Sequence, residues 1–210
     1  MAPGLDLTVL AREIGAHDSI TVSKTSAKDN VATNFHSLSA VLDPDTVTQE
    51  FDELRFEAAA SRQLPNPTNI DQNHTVATST QLISSPYNNP GHYLDLTTLD
   101  TPNLIFAKAL TALKPLRSDY ATAPYISSLD FPAVLPLIRR FSHELGYTWT
   151  SHSFYVVIFR SQLKADIDND LLYKLDYESH REACESGGLL KYWFGKTDGE
   201  RRNLATCMCT

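Results

Sequence analysis

Residues 153–160 read Ser-Phe-Tyr-Val-Val-Ile-Phe-Arg. Val156, Val157 and Ile158 are β-branched and aromatic rings flank them, a composition that favours an extended chain. The run predicts a strand over 153–160, buried on both faces. The residues after it limit the topology. Asp168 suits a helix cap, and Leu171, Leu172, Leu175 and Ala183 recur at helical spacing, which predicts a helix over 168–185 stopped by Gly187-Gly188. A second strand is expected at 189–194, a turn at Asp198-Gly199 and a third strand at 203–209. Strand, helix, strand, hairpin, strand is the first two-thirds of a ferredoxin-like βαββαβ unit. The expected class is α+β, with an incomplete ferredoxin-like βαββ unit at the C-terminal end.

The aromatic residues divide the chain. Residues 1–92 hold only Phe35, Phe51, Phe56 and Tyr87, and carry 11 Asp and Glu against 5 Lys and Arg. Aromatic side chains supply much of the area a core can bury, so the core is expected in 93–210. The first 92 residues read as an acidic, largely disordered arm. Its single expected helix, near 44–63, follows Asp43-Pro44 and places Val47, Phe51, Leu54 and Ala58 on one stripe. Two further helices precede the βαββ unit. One is predicted over 102–114 behind Thr101-Pro102, the other over 131–145 between Asp130 and Gly146, with Pro136 kinking it or delaying its start.

Charge and motifs exclude several functions. The net charge of −7 argues against a nucleic-acid or anionic-membrane binder. Mean hydropathy is −0.25 and no apolar run approaches ~18 residues, so no membrane span is expected. Met1–Ser19 has no signal-like basic start, and three cysteines form no disulfide framework, which points to a reducing, cytoplasmic setting. No dinucleotide fingerprint, P-loop, nucleophile elbow, HExxH or CxxC occurs. His180-Arg181-Glu182 matches half of a zinc deaminase motif, but the Pro-Cys-x-x-Cys half is missing. No metal and no cofactor are expected.

Several longer runs, His92–Leu99, Ala107–Tyr125, Phe154–Leu163, Ser179–Gly195 and Arg202–Cys207, resemble an uncharacterised fungal protein family. The C-terminal half of that family resembles the dimeric α/β-barrel superfamily, in which ferredoxin-like units pack sheet against sheet. The resemblance brings no established activity. It implies a small-molecule enzyme or binder of fungal, including secondary, metabolism, working without a cofactor. A non-catalytic oligomerising or regulatory protein, or a truncated inactive member, is the alternative, and a homodimer stays open. Family members continue past the last strand with a helix and a final strand, whereas Thr210 ends this chain. That departure predicts an open edge on the 153–160 strand.

Candidate site residues follow from helix geometry. With Leu171 at zero, Leu175 falls at ~40° and Glu182 at ~20°, inside the apolar stripe. A carboxylate facing a sheet is a candidate general base, with His180 or Arg160 assisting. The plainer alternative is a solvated helix-end Glu182, an ion-paired Arg160 and structural cysteines at 184, 207 and 209. Tyr155, Tyr192 and Trp193 are candidate substrate-binding residues, with core packing as their alternative.

Overall fold

The computed structural model describes residues 80–87 and 90–210, together with the backbone of 4–5, 65–70 and 76–78. The expected helix at 44–63 and most of the arm expected to be disordered fall outside the described residues. Short strands come first: β1 (Gly4–Leu5), β2 (Pro65–Ile70), β3 (Val76–Thr78), β4 (Gln81–Ile83) and β5 (Tyr93–Asp95). Three helices follow, α1 (Thr101–Ala109, extended by a 3-10 turn at Leu110–Ala112), α2 (Tyr125–Ser128) and α3 (Phe131–Glu144). The C-terminal third is β6 (Phe154–Gln162), α4 (Asn169–Ser186), β7 (Leu189–Phe194) and β8 (Arg202–Cys209).

Local chemistry accounts for the helix boundaries. Asp100, Asp130 and Asp168 each accept a hydrogen bond from the amide three residues on, at 3.1, 3.0 and 2.9 Å. Each bond satisfies an amide that the first turn cannot pair. Helix α3 continues through Pro136. Pro132 and Pro136 are both exposed, so the carbonyl that loses its partner at Pro136 can turn to water. Helix α4 stops at Gly187 and Gly188, whose φ angles of 81° and 82° suit glycine far better than any side-chain-bearing residue.

The βαββ order produces one antiparallel sheet, β1-β6-β8-β7. Strand β8 lies between its predecessors, Val157 and Tyr192 both facing Cys207 in register. That is the strand order of the first three strands of a ferredoxin-like sheet, and the protein is α+β. One sheet face carries Phe154, Val156, Trp193, Leu204 and Met208, and helices α1 and α3 fill it with Ile105, Phe106, Val134, Ile138 and Phe141. The other face carries Tyr192, Phe194, Ala205 and Cys207 and meets α4. The sheet is therefore sandwiched between helices.

Strand β6 departs from the expectation of burial on both faces. Phe154 and Val156 are buried, but Tyr155, Val157, Ile158 and Phe159 are 36–57% exposed. Helix α4 packs over β7 and β8 and leaves Tyr155, Val157 and Phe159 largely uncovered on its face, while Ile158, paired with Thr206, is exposed on the other. Among the described residues, the outer edge of β6 is met by β1 at Phe154 and Tyr155 alone. The packed body also reaches further toward the N-terminus than the aromatic count suggested. Leu82, Ile83 and Tyr87 are buried, and β4 pairs with β5. The expected boundary at 92 falls inside this region.

Candidate functional site

Between α4 and the sheet lies a cleft of about 490 Å³. The sheet contributes Phe159, Ser161, Tyr192, Phe194, Asn203, Ala205 and Cys207, and the helix contributes Asn169, Leu172, Tyr173, Asp176, Ser179, His180 and Ala183. Tyr87 closes one side. It reaches the cleft because residues 80–87 run along the outer edge of β7, where the Ser84 carbonyl accepts the Tyr192 amide at 2.9 Å.

Asp176 organises the polar end. One carboxylate oxygen accepts the Tyr192 hydroxyl at 2.6 Å, and the other accepts the Tyr87 hydroxyl. Burial, then the bond to Asp176, pushes both phenol pKa values far up, so both stay protonated donors. His180 sits one turn along α4 and is buried to 4% exposure. Its Nδ1 is 2.8 Å from Nδ1 of His92. The two imidazoles are close to coplanar, 14° apart, with centroids at 5.1 Å. Burial, then the His92 neighbour, lowers the His180 pKa to about 4; burial also lowers that of His92. The pair is neutral at pH 7 and holds one proton between the facing nitrogens.

Either ring can donate across this contact, according to which carries its proton on Nδ1, and His180 has a second neighbour. Cys184 approaches this imidazole with Sγ 3.6 Å from Nδ1. Burial raises the Cys184 thiol to about 11 and Cys207 to about 12, so neither is a thiolate at pH 7. Among the described residues no three His, Cys, Asp or Glu side chains converge as metal ligands, and no helix is long and apolar enough to cross a membrane.

Every lining residue of this cleft lies between 83 and 210, the stretch that matches the model of a protein family described as PB2B2.08-like. The chain belongs to the PB2B2.08-like family. A relative from the fission yeast Schizosaccharomyces pombe, the UPF0643 protein PB2B2.08, is 40% identical over 141 residues. The match covers 63% of this chain and 64% of the relative, so the chain spans just under two thirds of that protein's length. No solved structure matches the chain.

The site of this PB2B2.08-like chain differs in part from the sequence expectation. His180 and Tyr192 line the cleft. Glu182 does not; it is exposed on the outer side of α4. The helix is rotated relative to the expected stripe. On the same wheel the inward residues Ala183, Asp176, Asn169 and His180 fall at ~120° to ~180°, far from Leu171 and Leu175. Leu171 and Leu175 are 50% and 60% exposed. Pairing of Asp176 and His180 with the tyrosines and His92 sets the phase of α4 in place of leucine burial. Arg160 and Trp193 lie on the opposite sheet face. The Arg160 guanidinium donates to the carbonyls of Ala121 and Ala123, and Trp193 packs in the core against Tyr120. Tyr155 is on the cleft side of β6 but outside the cleft, 57% exposed. Tyr87, His92 and Asp176 escaped sequence reasoning. A signal existed for Asp176, four residues before His180 on one helix face. Tyr87 stood out as a lone aromatic in a polar stretch.

Proposed function

We propose that the protein binds a small organic molecule in the cleft between α4 and the sheet. The observation that carries this is the cleft itself, an apolar and aromatic cavity of ligand size with a few convergent polar groups at one end. The superfamily resemblance of the C-terminal half supports a cofactor-independent role of this kind, with the analogy resting on fold alone. A face-to-face pairing of sheets gains no support from the geometry, since α1 and α3 fill the sheet face opposite α4. Catalysis is the second reading, and the His92–His180 contact favours it. A neutral imidazole beside a cleft can take up or deliver a proton, although its low pKa makes it a weak base.

A thermal-shift screen of small organic molecules tests the binding reading. Ligands should stabilise the wild type, by about 2.7 kcal/mol at a concentration 100-fold above Kd. They should not stabilise Ala183→Trp, which fills the cleft. Hits that stabilise both equally, or a complete absence of hits, would sink the reading. If turnover is found, His180→Gln should abolish it while keeping ligand-induced stabilisation.

A further inference from the structure

We infer that the ligand of this cleft is an organic cation, a quaternary ammonium or a protonated amine. The inference rests on the binding reading above and names its chemistry. Among the described residues, Asp176 is the one charged side chain lining the cleft, and no Lys or Arg lines it. Among the described residues no ion pair reaches Asp176, and its hydrogen-bond partners are the hydroxyls of Tyr87 and Tyr192. Those hydroxyls donate to the carboxylate, which leaves their oxygens as electron-rich acceptors. His180 is neutral, so it does not offset the carboxylate. An anionic ligand would enter beside an unneutralised negative charge, while a cation would supply the partner that Asp176 lacks.

The rings point the same way. Tyr87, Phe159, Tyr173, Tyr192 and Phe194 all line the cavity. An aromatic lining around one carboxylate is the chemistry that recognises ammonium groups, because ring quadrupoles attract cations that have shed water.

The test compares, by NMR titration on the full chain, three probes that share a branched head of three methyl groups. They are choline, its neutral isostere with a tert-butyl group in place of trimethylammonium, and the anion pivalate. Choline should bind about tenfold tighter than the isostere, and pivalate weakest. Asp176→Asn should bring choline down to the isostere's affinity and leave the isostere unchanged. Tyr173→Leu, at an exposed ring whose loss the fold tolerates, should also weaken choline selectively. Equal binding of choline and the isostere, or tighter pivalate binding, overturns the cation inference and leaves the cleft as a binding site. If none of the three binds but other screened molecules do so in an Ala183→Trp-sensitive way, the cation inference alone falls. If nothing binds, both fall.

Discussion

The His92–His180 pair ties stability to pH with a defined sign. In the unfolded chain His180 has an ordinary pKa of 6.5, and in the fold it drops to about 4. The unfolded state therefore takes up a proton that the folded state refuses. Stability from this group is fully present above pH 6.5 and declines as the pH falls toward 4. Integrating proton uptake between pH 7.5 and 5 gives a loss on the order of 2 kcal/mol. His180 is almost fully buried, so solvent screening takes little from this figure. Urea unfolding of wild type and His180→Gln at the two pH values isolates the effect, because the carboxylates that titrate in this range are common to both. The wild type should lose about 2 kcal/mol more than the variant on acidification. Equal losses would show that His180 titrates normally. A smaller loss in the wild type would mean that the folded site holds the imidazolium and that the two rings are not a neutral pair. NMR titration of the His180 ring provides an independent check, with its midpoint expected near pH 4.

Other perturbations follow from single contacts. Asp176→Ala strands two partly buried tyrosine hydroxyls and should cost about 2 kcal/mol in denaturant melts, while Tyr192→Phe should cost about 1; a neutral Asp176→Ala would show that water satisfies both phenols. A Cβ at Gly195 would overlap the Tyr120 ring. Gly195→Ala should therefore push Tyr120 off Trp193 and off the Lys196 carbonyl, lowering stability by about 1–3 kcal/mol, and Tyr120→Leu should relieve part of the loss. Cys184 should react with a disulfide reagent at neutral pH about a hundredfold more slowly in the fold than in urea, and Cys207 more slowly still. Comparable rates in the two states would contradict their burial.

The sequence made the topology legible because β-branching, caps and paired glycines act locally. Asp168, the Gly187-Gly188 stop and the Asp198-Gly199 turn sit at the joints of the βαββ order that the structure shows. The class follows from that order. The site was only half legible. Leu171 and Leu175 promised an inward stripe, yet α4 turns a polar face inward, because the groups that reward it come from distant segments. Tyr87 is 89 residues from Asp176, and His92 is 88 from His180. No helical or strand period reports such separations. Residues 153–160 misled in a different way. Continuous apolar side chains imply two covered faces, but the helix that follows β6 crosses to β7 and β8 and shelters those strands instead.

The position of β8 has a consequence for how the chain acquires its shape. Strands β6 and β7 share no hydrogen bonds; each pairs with β8, which comes after both. As the polypeptide is synthesised, β6 and β7 emerge in turn with no partner in this sheet beyond the two residues of β1. Neither can gain from an earlier encounter with the other. Both the β6–β8–β7 pairing and the wall of the cleft beneath α4 need β8, since Asn203, Ala205 and Cys207 belong to that strand. Until that pairing forms, Phe154 and Val156, which the finished sheet buries, lie open to chaperones and to neighbouring chains, and slow closure across such separations lengthens that interval.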